Sequence, residues 1–96
     1  MPQTYLIMYK PQRENFINSL TKKEEQVLGE HFAYLQNLLA EKKLLMAGPC
    51  EDGSLGIAII EVESQELAQK IMNNDPCVKQ QVFSAEVKEF RLSLKY

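Results

Sequence analysis

The chain has 96 residues, of which 45% are hydrophobic, 25% charged and 8% aromatic, a composition typical of one soluble domain. A domain of this length buries only about 60 to 65% of the surface that its unfolded chain exposes, so we expect a thin core that a partner subunit helps to complete. Eleven Lys and Arg residues against thirteen Asp and Glu residues give a net charge of −2. This balance disfavours nucleic acid as a partner, because binding a phosphate backbone requires a basic surface.

Cysteine content and hydropathy bear on the compartment. Cys50 and Cys77 are too few to staple a fold of this size, and the apolar run at residues 5–9 is too short for a secretory signal. No stretch reaches the length of a membrane span. We therefore expect a cytoplasmic protein with no membrane partner, in which both thiols are free.

The first half of the chain predicts a strand followed by a long helix. Residues 4–10, TYLIMYK, are rich in β-branched and aromatic side chains and lie between two prolines, which is typical of a strand. Thr21 precedes Glu24 by three residues, the spacing of a capping box at a helix start. Apolar side chains then recur every three or four residues up to about residue 42, and they share one helix face with the single histidine. These positions are Val27, Leu28, His31, Tyr34, Leu35, Leu38 and Leu39.

The second half predicts a hairpin and a shorter helix. Residues 44–47 and 56–62 are apolar runs separated by a loop that contains Pro, Asp and Gly, as expected for two strands of a hairpin. Ser64 can cap the helix that follows, which ends before Pro76. Its apolar stripe comprises Leu67, Ala68, Ile71 and Met72.

Residues 82–96 predict the closing strand. Its apolar positions change phase between Val87 and Phe90, an odd step of three that predicts a bulge or bend near residues 88–89. A closing strand completes the order βαββαβ.

This order is the ferredoxin-like arrangement, an α+β fold in which both helices cover one face of a four-stranded antiparallel sheet. We expect residues 1–96 to form one domain, with the first and third strands in the middle of the sheet. Residues 6–8 and 57–60 are apolar on both faces of these strands, so the opposite sheet face also needs a cover. A second copy packed sheet to sheet, with the last strand crossing between subunits, provides it, and the chain is predicted to be a homodimer.

The single histidine and one aspartate are the candidate catalytic residues. His31 lies in the middle of an apolar helix stripe, where it could act as a general acid or base near neutral pH. The alternative is a core histidine whose ring nitrogens bond to backbone carbonyls. Asp75 precedes Pro76 and is explained by turn formation alone, but in this topology it could reach His31 and orient the ring. No serine or cysteine nucleophile is evident in a strand-to-helix elbow.

Five other side chains are candidates for substrate binding. Arg13 and Arg91 could hold an anionic group, although a solvated surface charge is the commoner role. Tyr5, Tyr9 and Tyr34 could donate hydroxyl groups in a pocket, although such residues more often pack in a core. The glycines do not form a phosphate loop. The third strand lacks the aromatic residues that stack bases in RNA-binding domains of this topology.

A metal site is not expected. His31, Cys50 and Cys77 could in principle supply three zinc ligands, but the close cysteine pair that usually begins such a site is absent. We therefore predict neither a metal nor a cofactor. A nucleophilic cysteine is the alternative, but both cysteines follow a proline in a loop, where unreactive cysteines are commoner.

Several segments together resemble the YCII-related (YciI-like) domain family, in an order that covers nearly the whole chain. They are TYLIMYK at 4–10, HFAYL at 31–35, LLMAGP at 44–49, Asp52-Gly53 with Gly56, the helix from Ser64, Asp75-Pro76, and Glu86-Val87 with Phe90. The resemblance implies a dimeric α+β barrel with a pocket in which His31 and Asp75 are the catalytic pair. The family is similar in fold to muconolactone isomerases and cofactor-free monooxygenases, and one branch removes chloride from a chlorinated hydroxyquinol. Cys77 replaces a usual apolar aromatic residue, and the loop at 12–18 is unusually polar, so the substrate stays open.

Two functions of different classes follow. The first is a cofactor-independent enzyme in which His31 moves a proton and Asp75 orients the ring, for an elimination or isomerisation of a small cyclic or aromatic oxygenated molecule. The second is a non-catalytic ligand-binding or accessory module, and a purely structural dimer is a third possibility. A solvent-reachable ring paired with Asp75 favours the enzyme, a ring satisfied by backbone groups favours the module, and a pocket filled by side chains favours the structural dimer. Whether the loop at 11–20 forms a lid is left open.

Overall fold

The sheet is built around the first strand of the chain. A computed structural model describes residues 2–96, and in it β1 spans Gln3–Pro11. The later elements are α1 (Lys22–Ala40), β2 (Leu44–Pro49), β3 (Gly56–Val62), α2 (Gln65–Asn74), α3 (Pro76–Lys79) and β4 (Phe83–Glu89). The strands pair antiparallel in the order β2-β3-β1-β4. The ferredoxin-like α+β fold is therefore confirmed, with β1 and β3 in the middle of the sheet.

Both long helices begin where the sequence predicts a cap. The hydroxyl of Thr21 accepts a hydrogen bond from the backbone N–H of Glu24 at 3.1 Å, and the Glu24 carboxylate accepts one from the Thr21 N–H at 3.0 Å. Ser64 accepts from the N–H of Leu67 at 3.2 Å at the start of α2. α1 ends at Ala40, two residues before the predicted end. None of the helices in residues 2–96 is long and apolar enough to cross a membrane.

The core lies between the helices and one face of the sheet. Tyr5, Ile7 and Tyr9 alternate along β1 on this face and are 1 to 3% exposed. From the helices they are met by Val27, Leu35, Leu38, Ala68 and Met72. Two members of the predicted helix stripes lie outside the core, since Leu39 is 55% and Leu67 42% exposed. The core is thus narrower than the helical periodicity predicts.

The last strand is shorter than predicted. β4 ends at Glu89, and its pairing with β1 runs without a shift from Phe83 to Glu89, so the bulge or bend predicted at residues 88–89 is wrong. Pairing with β1 stops at Tyr5, two residues after β1 begins, and one further backbone hydrogen bond joins the Phe90 N–H to the Thr4 carbonyl at 2.9 Å. The apolar positions of the second phase, from Phe90 onward, therefore lie after the end of the strand. Residues 90–96 continue beyond the sheet. The irregularity of register lies instead in β2, between its first and third residues.

Arg13 ties the loop after β1 to the start of α1. Its guanidinium donates two hydrogen bonds to the Glu24 carboxylate, at 2.7 and 2.8 Å, and lies 4.8 Å from the centre of the Phe16 ring. This fork and the Thr21 N–H lower the pKa of Glu24 from 4.5 to about 2. The loop is therefore anchored at its polar end by a charged pair and at its apolar end by the buried Phe16.

Replacing Arg13 by Gln is expected to destabilise the protein more at neutral pH than at acidic pH, where only its contacts with Phe16 and Ser19 are lost. The folded-state pKa of Glu24 lies below its unfolded value, so its contribution is complete above about 4.5 and is lost as the pH falls toward 2. Urea unfolding midpoints of wild type and variant should therefore converge across this window. Arg91→Gln, which removes an exposed arginine at the other end of the chain, is the matched control. A gap between wild type and R13Q that is as large at pH 2 as at neutral pH would contradict the assignment.

Candidate active site

Asp75 is positioned by the junction between α2 and α3. It follows the last residue of α2 and caps α3, since its side chain accepts a hydrogen bond from the Cys77 N–H at 3.1 Å and Pro76 occupies the first helical position. The carboxylate is completely buried. The sequence analysis predicts a turn here and not a helix, although an aspartate followed by a proline is also a helix-start signal.

His31 projects from the middle of α1 onto this carboxylate. Its Nδ1 lies 2.8 Å from both Asp75 oxygens. An ionised carboxylate can only accept hydrogen bonds, so Nδ1 carries a proton and donates it. Within residues 2–96, Nε2 has no hydrogen-bond partner. Since no buried side-chain nitrogen or oxygen among these residues lacks a partner, Nε2 is not a buried atom. The second ring nitrogen is thus exposed and free to meet a ligand.

Tyr9 and Cys77 complete a cluster around Asp75. The Tyr9 hydroxyl donates to Asp75 Oδ2 at 3.0 Å, and its ring stands edge to face with the His31 ring at 5.1 Å between centroids. Cys77 Sγ lies 3.3 Å from His31 Nδ1. Burial, reinforced by the nearby carboxylate charge, raises the pKa of both the Tyr9 hydroxyl and the Cys77 thiol. Both groups therefore keep their protons near neutral pH, and the buried carboxylate is surrounded by donors.

A cleft of about 650 Å³ opens beside His31, between α1 and the β2–β3 edge of the sheet. This volume lies within the roughly 300–1,000 Å³ typical of small-molecule sites. Its walls are apolar and include the exposed side chains Phe32, Leu39, Leu45 and Met46. Phe16 and Ile17 from the loop after β1 form a further part of the wall. The loop therefore contributes to the site through these two side chains.

The three tyrosines predicted for substrate binding separate in the structure. Tyr9 lines the cleft. The Tyr5 hydroxyl instead donates to the side chain of Gln3 at 2.9 Å, and the Tyr34 hydroxyl donates to the carbonyl of Ile71 at 2.7 Å. Neither Tyr5 nor Tyr34 lines the cleft, because the first belongs to the far part of β1 and the second fastens α1 to α2.

The two arginines also lie away from the cleft. Arg13 is held by Glu24 and does not itself line the cleft, although its guanidinium lies over the Phe16 ring. Arg91 is exposed in the segment beyond β4. The geometry thus brings His31, Asp75 and Tyr9 together and leaves neither arginine in place to hold an anionic group of a molecule in the cleft.

Three side chains of the types that bind metals meet in this cluster. They differ from the three considered in the sequence, because Asp75 takes the place of Cys50. Among residues 2–96, His31, Asp75 and Cys77 place ligand-type atoms within 4.8 Å of one another, and Cys50 is not part of the group. The Nδ1–carboxylate contact is a hydrogen bond, and a buried thiol with a raised pKa is not the thiolate that metals bind. The donor set fits a proton-sharing cluster better than a metal centre.

The position of Cys77 is the feature that sequence reasoning missed. The sequence predicts an ordinary loop cysteine, whereas Cys77 lies in the first turn of α3 with its sulfur 3.3 Å from His31 Nδ1. The sequence signal for this position is that Cys77 follows Asp75 by two residues. A residue two positions after a helix cap lies in the first turn of that helix, close to the capping side chain.

The two thiols are expected to react at very different rates. Cys50 is exposed, whereas Cys77 is buried and its pKa is raised, and alkylation requires an accessible thiolate. Titration of the native protein with iodoacetamide should modify Cys50 quickly and Cys77 only after unfolding in urea, as read by peptide mass spectrometry. The Cys50→Ser variant is the control and should show no fast phase. Equal modification of both cysteines in the native protein would contradict the burial of Cys77.

The sequence matches the YCII-related domain family over residues 2–91. The chain belongs to this family. The uncharacterized protein YjpA from Bacillus subtilis (strain 168) is 39% identical over 69 residues, which are 72% of this chain and 80% of the relative. The family resemblance read from short segments is therefore confirmed.

Two solved structures resemble this YCII-related domain. The first is 5-chloro-2-hydroxyhydroquinone dehydrochlorinase (TftG) from Burkholderia phenoliruptrix AC1100 in complex with 2,5-dihydroxybenzoquinone, with a TM-score of 0.66 and 23% identity over 91% of this chain and 93% of that chain. The second is the uncharacterized protein TM1266 from Thermotoga maritima, with a TM-score of 0.50 and 10% identity over 95% of this chain and all of that chain. At these identities the likeness establishes the fold alone.

Proposed function

We propose that the protein is a cofactor-independent enzyme that moves a proton on a small cyclic or aromatic molecule. His31 acts as the general acid–base, and Asp75 orients and balances its ring. The observation that carries the proposal is the division of labour between the ring nitrogens: Nδ1 is held by a buried carboxylate, whereas Nε2 is free beside an open cleft.

The chemistry that this pair supports is elimination or isomerisation. Nε2 accepts a proton from a carbon or hydroxyl of the substrate, and the Asp75 carboxylate stabilises the imidazolium that forms. The electron pair of the broken bond then forms a double bond, either expelling a leaving group with its own electrons or taking the proton back at a neighbouring atom. Hydrolysis through a covalent intermediate is less well supported, because Cys77 is a buried, protonated thiol.

Two further observations support an enzyme over a binding module or a structural dimer. The His31 ring bonds to a side-chain carboxylate and not to backbone carbonyls, and the cleft beside it is open. The structural neighbour TftG is a dehydrochlorinase, so elimination from a hydroxylated ring is the first reaction to test.

Solvent isotope exchange tests the proposal without a known substrate. The protein is incubated in D₂O with neutral cyclic enols, enones and hydroquinones, including 5-chloro-2-hydroxyhydroquinone, and deuterium uptake or chloride release is measured by mass spectrometry. We expect exchange above background for at least one compound, reduced in His31→Asn. Background exchange for every compound that binds in the cleft would contradict the enzymatic function.

We also propose that the protein works as a homodimer in the cytoplasm. Leu6, Met8 and Ile57 are partly exposed on the sheet face opposite the helices, where Met8 and Ile57 are paired across β1 and β3. The segment beyond β4 adds the exposed Leu94. A second copy can bury both surfaces, and a reducing compartment suits the two free thiols.

The Met8→Glu variant is expected to be monomeric. A charge at the centre of the sheet face would be buried without a partner in the dimer but solvated in the monomer. Sedimentation at micromolar concentration should give twice the chain mass of 11.1 kDa for the wild type and the chain mass for the variant. Gln69→Glu, which adds the same charge on the exposed face of α2, is the control and should stay dimeric. A monomeric wild type would contradict the dimer.

A further inference from the structure

We infer that the cleft beside His31 binds an uncharged, mostly apolar ring compound and discriminates against carboxylates and phosphates. The inference rests on the proposed function only in taking this cleft as the ligand site. It narrows the ligand class by charge, which neither the family nor the reaction type determines.

The wall of the cleft carries no ionic side chain other than His31. Within residues 2–96, none of the residues that line it is Lys, Arg, Asp or Glu. Besides His31, its side chains with hydrogen-bonding groups are Tyr9 and Gln36, and the Tyr9 hydroxyl is already committed to Asp75. An anionic group placed here would lose its hydration without gaining a charged partner, which is costly.

The His31–Asp75 pair cannot compensate for this. When His31 is protonated, its charge is balanced by the Asp75 carboxylate, which lies 2.8 Å away. When His31 is neutral, the pair carries the negative charge of Asp75. The other groups that face the pair, the Tyr9 hydroxyl and the Cys77 thiol, are neutral because their pKa values are raised. The catalytic end of the cleft is therefore neutral or negative, and an anion is disfavoured in both states.

Neither of the two arginines is available to bind an anion in the cleft, since Arg13 is bonded to other groups and Arg91 lies beyond β4. Arg13 is one of only two arginines in the chain, and it is bonded through two nitrogens to Glu24 outside the cleft. It also donates to the hydroxyl and the carbonyl of Ser19, at 3.2 and 2.6 Å, so the guanidinium is committed to groups that do not line the cleft.

Size and polarity then define the ligand. A cleft of about 650 Å³ with walls such as Leu28, Phe32 and Leu39 has room for one ring or for two fused rings. Besides His31, Gln36 is the only uncommitted polar side chain among the described residues that line it. A compound with one hydroxyl or carbonyl near Nε2 and otherwise apolar rings matches this wall.

A pair of probes with the same ring tests the inference. Near neutral pH β-naphthol is uncharged and β-naphthoate is an anion. Binding of each is measured by ¹H–¹⁵N NMR titration, with shift changes followed at the amides of Leu28 and Phe32. We expect β-naphthol to perturb these amides and to bind roughly tenfold or more tightly than β-naphthoate. Equal or tighter binding of β-naphthoate, or no binding of β-naphthol, would overturn the inference.

Introducing a cation into the wall sharpens the test. Gln36→Lys should raise the affinity for β-naphthoate several-fold relative to the affinity for β-naphthol, because it supplies the missing charged partner. Asn37→Lys adds the same charge at the next, exposed position of α1, which does not line the cleft. An equal gain in Asn37→Lys would show that charge acts from the general surface and would contradict the role of the wall.

The outcomes also separate this inference from the proposed function. Selective binding of the neutral probe without any isotope exchange would contradict the enzyme and support the ligand class. Exchange on substrates whose carboxylate groups improve binding would support the enzyme and overturn the ligand class.

Discussion

Replacing His31 by Asn is expected to lower the turnover of an identified substrate by about 10²–10⁴-fold, the usual contribution of a positioned acid–base group. The loss arises because Nε2, the ring nitrogen with no protein partner within residues 2–96, is removed. The Asn amide can still donate toward Asp75, so that the buried carboxylate is not left facing an apolar gap. The measurement is kcat, with circular dichroism and sedimentation to confirm fold and assembly.

Ala33→Asn is the matched control for this variant. It introduces the same side chain two residues along α1 at an exposed position, and it should keep the activity of the wild type. An unchanged kcat in His31→Asn, with the control also active, would remove His31 from the mechanism.

Replacing Asp75 by Asn is expected to move the proton of His31 from Nδ1 to Nε2. One of the two Asp75 oxygens that lie 2.8 Å from Nδ1 becomes an amide NH2 group, which only donates. When this group faces Nδ1, the ring accepts there and carries its proton on the other nitrogen. Nε2 then cannot act as a base. The same substitution in a Ser-His-Asp triad lowers kcat by about 10⁴-fold, and we expect a loss of about 10²–10⁴-fold here.

Two measurements check this prediction together. ¹⁵N NMR of the ring reports which nitrogen of His31 is protonated, and kcat reports the chemical consequence. The variant should also lose about 1–3 kcal/mol of stability, because the Tyr9 hydroxyl and the Cys77 N–H now compete for one acceptor oxygen. Asp52→Asn, the same change in an exposed loop, should alter neither readout. A proton that remains on Nδ1 in Asp75→Asn would contradict the orienting role.

Local patterns were sufficient for most of the fold. The capping box at Thr21, the cap at Ser64 and the strand at 56–62 all depend on residues close in sequence, and each is observed as predicted. The end of β4 was not predictable in the same way, because the apolar residues at 90–96 continue a strand-like alternation although their pairing with β1 stops at Glu89. The register of a strand is a property of two segments.

The candidate site also has features that the sequence predicts and features that depend on how distant segments fold. The proximity of His31 and Asp75 follows from the order of the elements together with the family resemblance. The Arg13–Glu24 pair depends on how the intervening loop folds, which the sequence does not show. Arg13, which is a candidate anion-binding residue in the sequence, is therefore already bonded to Glu24 in the structure. The cleft between α1 and β2 leaves apolar residues such as Leu39 and Met46 exposed, and helical periodicity cannot distinguish such residues from core.

The helix cap formed by Asp75 has a consequence for comparing relatives. The same carboxylate that orients His31 also starts α3 by accepting the Cys77 N–H. A relative that has lost all activity would still benefit from this aspartate in folding, so its retention says little about catalysis. His31, by contrast, lies in the middle of α1 and is not a capping residue of any helix within residues 2–96. Across the family, the histidine is therefore the residue whose loss should separate active members from those that keep only the architecture.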